Sequence, residues 1–309
     1  QVVLLKLSVS GFDEILLDLC FSMIFILLVV CFPVVHTIRT SKTDVSARRP
    51  WAEMSELEQY WEAAWWTNAT YDQTDAHEHA ILDTRYVSSN HQECVLGFRG
   101  TKDMKDWAYN LDIQVVQWDI WSVHKGFATK LQKVMNDNVE LINGLTNCSA
   151  LIVLGHSLGG AMASLYAAGA EKYGYRKADY LYTFGAPAIS TSSLHDDFNC
   201  FEGARFYNLD SITHYDLVPN VANWAGFYHP KLKAVWLSTG NVVNGMEEYQ
   251  NMAFPCDDTK TPQRPGIYAS TSLTMFLAGY PNQPLPLHKM TTYFERVNRI
   301  VMAAVGGAA

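Results

Sequence analysis

The sequence predicts an α/β fold: a central, mostly parallel β-sheet with helices on both faces. Three observations carry this. Apolar runs of strand length recur along the chain with segments of helical pattern between them, the order that crossover connections turn into a parallel sheet. The strongest run, Ala150-Leu151-Ile152-Val153-Leu154, leads into a glycine-rich turn and then an alanine-rich stretch. Between Trp51 and the C-terminus there is no linker, internal repeat or low-complexity segment, so residues 51–309 read as one domain.

Taken in order, the first element is a helix from Met54 to about Thr67, with Ser55 as its N-cap. Strands are expected at Cys94-Val95-Leu96-Gly97-Phe98 and Ala150–Leu154, then at Tyr180-Leu181-Tyr182-Thr183-Phe184. Two more follow, at Ala204–Leu209 and Ala234-Val235-Trp236-Leu237. The stretches His124–Leu141 and Leu158–Tyr173 read as helices.

Composition narrows the function classes. The chain is 49% hydrophobic and 17% charged, which suits a globular protein with a substantial core. Its 23 Lys and Arg against 31 Asp and Glu leave a formal charge of −8. That balance argues against nucleic acid as the main partner, because phosphate recognition needs a basic face. It also provides no general attraction to an anionic membrane surface.

Residues 1–50 differ from the rest. Leu19 to Val35 is almost continuously apolar, short for a membrane span of about 20 residues but suited to the apolar region of a signal peptide. A start at Met23 would leave Ile24–Val35 as that region and Val35-His36-Thr37 as the cleavage site, making 1–37 a leader and 38–50 a linker or short propeptide. The alternative is a membrane anchor. Acidic residues before it (Asp13, Glu14, Asp18) and basic ones after it (Arg39, Lys42, Arg48, Arg49) would then keep the large domain cytosolic. Two N-glycosylation patterns, Asn68-Ala69-Thr70 and Asn147-Cys148-Ser149, favour export. Beyond the leader stand Cys94, Cys148, Cys200 and Cys256. In an oxidising compartment the expected pairs are Cys94–Cys148, each at the start of a predicted core strand, and Cys200–Cys256, which flank a strand pair. Four buried free thiols are the alternative.

The chemistry concentrates at Gly155-His156-Ser157-Leu158-Gly159-Gly160. A G-x-S-x-G turn between strand and helix holds its serine in a strained conformation, and small flanking residues let the two backbones approach. The pattern alone recurs by chance in roughly one chain in ten of this length. Its place between a buried strand and a helix containing Ala161, Ala163, Ala167 and Ala168 removes most such matches. A serine nucleophile needs a base, which an acid orients, and on this architecture the order is Ser, acid, His. Asp216 in Asp216-Leu217-Val218-Pro219 and His288 in Leu285-Pro286-Leu287-His288 satisfy it. Asp210 is the competing acid and His214 the competing base. His156 adjoins Ser157 but points away on the turn, and His229 precedes a strand. The backbone N–H groups of Thr101, after Gly97-Phe98-Arg99-Gly100, and of Leu158 are the candidate oxyanion donors.

With these elements in hand, the sequence resembles the class 3, fungal-type lipase family of α/β-hydrolases. The matching residues are Phe98-Arg99-Gly100-Thr101, Val123-His124-Lys125-Gly126-Phe127, Gly155-His156-Ser157-Leu158-Gly159-Gly160-Ala161, Thr183-Phe184-Gly185-Ala186-Pro187, Asp216-Leu217-Val218-Pro219, and His288 followed by Tyr293. They occur in family order across about residues 51–300. The resemblance implies Ser157, Asp216 and His288 as triad and Thr101 with Leu158 as oxyanion hole. One departure is the five-residue step from His288 to Tyr293, where the family more often has a shorter one.

After Thr101, Met104, Trp107, Ala108 and Leu111 fall on one face of a helix, while Asp103, Asp106 and Asn110 lie away from it. In the resembling family this segment is the lid, whose apolar face would cover an acyl groove in water and turn to a lipid surface. An ordinary helix packed on the core is the alternative. The resemblance thus implies a secreted serine lipase, acting at a lipid–water interface on glycerolipid esters, triacylglycerol first, through an acyl-Ser157. Rival readings are an esterase or phospholipase of the same family, a membrane-anchored form, and a catalytically silent binder of lipid or protein. No cofactor is implied, and no metal-ligand spacing is present.

Overall fold

The apolar runs pair into a twisted sheet in the computed structural model, which describes residues 49–72, 80–88, 90–101, 114–118, 121–191, 202–211, 214–220, 226–230, 232–238 and 286–306. Its strands are β1 (Ala80–Val87), β2 (Gln92–Phe98), β5 (Ala150–His156), β6 (Tyr180–Phe184), β7 (Glu202–Ser211), β8 (His214–Tyr215) and β9 (Ala234–Leu237). A separate hairpin joins β3 (Val115–Trp118) to β4 (Trp121–His124). In the main sheet the order is β1-β2-β5-β6-β7-β8, with β9 also on β7. β2, β5, β6 and β7 run parallel to one another, as does β9 to β7, whereas β1 pairs antiparallel with β2. This is the predicted α/β architecture of an α/β-hydrolase.

Side chains alternate across a strand, so each central strand feeds two cores. Leu151 and Val153 of β5, with Leu96 and Phe98 of β2, face helix α2 (Lys125–Asp137), helix α3 (Val139–Leu145) and helix α4 (Leu158–Gly169). Ile152 and Leu154, with Val95, Tyr182 and Phe206, face helix α1 (Glu56–Ala69) and helix α5 (Met290–Gly306). Helices therefore cover both faces, which is why β5 reads as an unbroken apolar run rather than an alternating one. Helix α4 is buried around most of its circumference and shows no polar face, as a helix enclosed on all sides should.

Local chemistry sets the boundaries. Helix α1 starts after Ser55 through a capping box: the Ser55 hydroxyl accepts from the Glu58 N–H, and the Glu58 carboxylate accepts from the Ser55 N–H at 2.8 Å. The helix expected over His124–Leu141 instead breaks at Asn138, whose side-chain amide donates to the Val134 carbonyl at 2.6 Å and closes α2. The helix expected over Leu158–Tyr173 ends at Gly169, and Tyr173 stacks on Trp118 of the hairpin. Strand β1, the hairpin and α5 were not expected from periodicity. In β1 the polar run Asp83-Thr84-Arg85 hides the pattern, because Arg85 is a buried ion-pair member rather than a solvated residue.

That arginine ties the first helix to the sheet. Its guanidinium takes the Glu62 carboxylate in a fork at 2.8 and 2.9 Å, pairs with Glu93 on β2, and donates to the Arg49 carbonyl. Glu93 in turn accepts the Trp51 N–H on both oxygens. All three charged side chains are buried, so removing one would leave an uncompensated buried charge, at a cost of about 3–5 kcal/mol. Cys94 and Cys148 form a disulfide at the start of the β2–β5 pair, as expected; Cys200 and Cys256 lie outside the described residues. Among the described residues, no helix is long and apolar enough to cross a membrane.

The disulfide closes a long loop, with a sequence separation of 54. Replacing both cysteines by serine should lower unfolding free energy by about 2–4 kcal/mol, measured as a drop in urea midpoint. An unchanged midpoint would show that core packing alone fixes β2 against β5.

Candidate active site

Parallel strands of one sheet end at the same edge, so the turns that follow them meet there. Phe98 of β2 pairs with Gly155 of β5, and His156 pairs with Phe184 of β6. Gly100-Thr101, Ser157 and Gly185 are therefore neighbours in space although they are far apart in sequence.

Ser157 sits between β5 and α4 with φ 58° and ψ −128°, the only positive φ of a non-glycine residue among the described residues. Its N–H donates to the Phe184 carbonyl at 2.9 Å and its carbonyl accepts from Ala161 at 3.1 Å. The glycines make this turn sterically allowed. A Cβ on Gly155 would lie 2.3 Å from the Gly159 carbonyl oxygen, and one on Gly159 would lie 2.1 Å from that of Phe98. A strained non-glycine φ costs on the order of 1–3 kcal/mol and persists only where surrounding structure enforces it. Here it presents the serine hydroxyl at the sheet edge.

His288 ends a short 3-10 turn, Pro286–His288, just before α5. Its Nε2 lies 2.8 Å from Ser157 Oγ and its Nδ1 lies 2.7 Å from Asp216 Oδ2. Asp216 follows β8 and is positioned by its own backbone: Oδ1 accepts the Val218 N–H at 2.9 Å, and the Asp216 N–H donates to the Asn208 carbonyl. Tyr293, on the first turn of α5, donates its hydroxyl to Asp216 Oδ2 at 2.6 Å. Burial, reinforced by Asp216, pushes the Tyr293 phenol well above its ordinary range and keeps it a donor. With Asp216 accepting, His288 carries its proton on Nδ1, and Nε2 is left to accept the Ser157 proton. Ser157, Asp216 and His288 are all buried. The wider His288–Tyr293 step is thus compatible with a shared carboxylate, because α5 begins within it.

The other sequence candidates separate cleanly. Asp210 pairs with Arg296 at 2.9 Å, away from His288. His229 Nε2 donates to the Pro219 carbonyl. Thr101 follows Gly100, where a Cβ would come within 3.1 Å of Ser157 Cβ, and Leu158 opens α4 directly after the serine. Both therefore border Ser157, and first-turn N–H groups have no acceptor inside their own helix. Of the sequons, Asn147 is exposed and Asn68 is half-buried in α1. The side chain of His214 and the segment carrying Met104, Trp107, Ala108 and Leu111 lie outside the described residues. Among the described residues no three His, Cys, Asp or Glu side chains converge as a metal site would need.

Two groups, with Tyr71 beside the first, escaped the sequence reading. His156 is buried behind the turn with its Nδ1 2.6 Å from the Tyr71 hydroxyl and its Nε2 2.6 Å from the His288 carbonyl. Burial, then the neighbouring His288, lowers its pKa well below the usual histidine range. Asn208, on β7, donates its side-chain amide to the Leu287 carbonyl at 2.6 Å. Sequence offered one hint, the adjacency of His156 to the nucleophile.

At the edge of an α/β sheet, a strained serine is thus joined through His288 to Asp216 in one buried hydrogen-bonded chain, the geometry of a Ser-His-Asp triad. The class 3 lipase family model matches residues 95–225 of the chain. A curated relative, secreted mono- and diacylglycerol lipase 1 of Fusarium solani, is 26% identical over 164 residues, covering 50% of this chain and 47% of the relative. The chain thus spans about half the length of that relative. Among solved structures, the lipase of Rhizopus microsporus var. chinensis aligns with a TM-score of 0.42 and 20% identity over 61% of this chain and 75% of its own. The mono- and diacylglycerol lipase of Aspergillus oryzae aligns with a TM-score of 0.45 and 19% identity over 61% and 82%.

Two histidines are held neutral by burial, His156 and His229, the latter also beside Arg205. In the unfolded chain each takes up a proton below about pH 6.5, so the unfolded state binds more protons and acid favours it. Unfolding free energy should fall as pH drops through that value, by up to about 1.4 kcal/mol per pH unit for each group. Urea midpoints at pH 7.5, 6.5 and 5.5 will measure this, and His229→Gln should make the slope shallower. An unaltered slope would mean that His229 is not held neutral in the native state.

Proposed function

We propose that this protein is a serine hydrolase of acylglycerol esters, and the observation that carries the reading is the buried hydrogen-bonded chain Ser157–His288–Asp216 at a strained turn. His288 Nε2 takes the hydroxyl proton as Ser157 Oγ attacks the ester carbonyl. Asp216 holds the imidazole in the required tautomer and stabilises the imidazolium that forms. The tetrahedral oxyanion accepts hydrogen bonds from the N–H groups of Leu158 and Thr101, each such donor being worth about 3 kcal/mol of barrier. His288 returns the proton to the leaving alcohol, and the acyl stays on Ser157. A water molecule, deprotonated by His288, then attacks the acyl-enzyme; collapse releases the fatty acid and restores Ser157.

Acylglycerols are the substrate class we favour because the family match and the name of the Fusarium solani relative both point to lipid esters. We place triacylglycerol first, with mono- and diacylglycerols beside it. The apolar face of Met104, Trp107 and Leu111 serves as a lid that meets the lipid surface. The secreted relative, the sequons at Asn68 and Asn147, and the Cys94–Cys148 disulfide support export, with residues 1–37 as the leader, 38–50 as a linker and 51–309 as the hydrolase domain.

The test compares wild type and Ser157→Ala on emulsified tri-, di- and monoacylglycerols and on a soluble short-chain ester. Activity should rise sharply above the emulsion threshold and fall by about 10⁶-fold in the variant. Activity on the soluble ester alone would remove the lid and the lipid substrate. No activity on any ester, with folded protein, would leave a silent binder.

A further inference from the structure

The histidine that must meet Ser157 stands on a short turn, not inside a strand or helix, and the backbone of that turn is held in an unusual way. Two successive carbonyls each accept a hydrogen bond from a buried side chain. Leu287 O accepts from Asn208 Nδ2 at 2.6 Å, and His288 O accepts from His156 Nε2 at 2.6 Å. The donors come from different strands. Asn208 is on β7, the strand that leads to Asp216, and His156 is on β5, directly before Ser157.

We propose that His156 and Asn208 are positioning residues that clamp the backbone on both sides of the His288 α-carbon, fixing its imidazole between Ser157 Oγ and Asp216. The inference rests on the serine-hydrolase reading above and adds to it the groups that hold the base in register. Each donor is tied directly to one end of the triad. Movement of β5 or β7 carries the turn with it, so nucleophile, base and acid shift as a unit.

The orientation of the His156 proton follows from a third contact. Tyr71 takes the Gly100 N–H on its hydroxyl oxygen and donates its own proton to His156 Nδ1. Burial pushes the Tyr71 phenol up, so it remains a donor. Nδ1 therefore accepts, and the imidazole proton sits on Nε2, facing the His288 carbonyl. The ionisable groups packed against His156 are His288, Tyr293 and Tyr71. The relay begins at Gly100, next to Thr101, so the same contacts link the base to the oxyanion loop.

The experiment uses the whole protein with His156→Leu, His156→Gln and Asn208→Ala, each checked by near-UV circular dichroism. Three quantities are read: labelling of Ser157 by a fluorophosphonate, kcat and KM on a soluble ester, and the acid limb of the kcat/KM pH profile. Misplacing a catalytic group by about 1 Å costs roughly 100-fold. We expect His156→Leu and Asn208→Ala to lose kcat on that scale per labelled site, with KM within about twofold, and the acid limb to move. His156→Gln keeps a donor at the reach of Nε2 and should recover most of the rate. Folded variants that keep wild-type kcat and acid limb would overturn the clamp, as would a loss explained by fewer labelled sites. If His156→Leu does not fold, Asn208→Ala and His156→Gln are read by the same criteria. Wild type that resists the phosphonate would overturn the hydrolase reading and the clamp together, whereas equal labelling rates in wild type and variants would overturn the clamp alone.

Discussion

Ser157 adopts a backbone conformation that an L-residue avoids, and the rest of the site is arranged around that constraint. The turn from β5 to α4 is so tight that Gly155 and Gly159 have no room for a Cβ. Both backbones must therefore approach, and this draws the start of α4 against the end of β2. The strain is held by the sheet itself, through the Ser157 N–H to Phe184 and the packing of α4 into one core. Relaxing it would require parting β5 from β6, which are joined along their length.

The same geometry explains why the polar groups of the site are so deeply buried. A serine at the edge of a packed sheet leaves its partners almost no solvent: His288, Asp216, His156 and Tyr293 are all buried. Desolvated polar groups are costly unless paired, and here they are paired in a closed circuit. Asp216 accepts from His288, Tyr293 and its own loop; His156 bridges Tyr71 and the His288 carbonyl. Each proton has one evident location, which is what an acid–base relay requires. A network of this kind polarises its members and specifies one arrangement.

Charge is used elsewhere with a different purpose. Arg85, Glu62 and Glu93 are buried well away from the serine and join the first helix to the antiparallel edge of the sheet. Ion pairs of this sort add little net stability over an apolar core, but their fork geometry admits few alternatives. They set where α1 lies, and with it Tyr71, which touches the oxyanion loop from the end of that helix. Arg296 and Asp210 do the same for α5 at the opposite edge.

Sequence alone determined the architecture and named the candidates for the reacting groups. The apolar runs at β2, β5, β6, β7 and β9 lie in a buried parallel sheet and so could not alternate with polar residues, which made them conspicuous. The elbow was legible because its pattern falls within six residues and Gly155 is demanded by backbone contact inside that span, although Gly159 answers to the Phe98 carbonyl across the sheet. Asp216 and His288 could be named as candidates from order, but choosing them over Asp210 and His214 needed distances. What only the tertiary structure decided was every function that depends on a side chain meeting a distant backbone or charge. Strand β1 was hidden because Arg85 reads as solvated until Glu62 and Glu93 are seen beside it, and His156 and Asn208 looked like bystanders. Their partners lie 132 and 79 residues away along the chain. Periodicity and local motifs report contacts made within an element. A hydrogen bond that closes across the sheet leaves no periodic trace, and only the folded chain brings its two ends together.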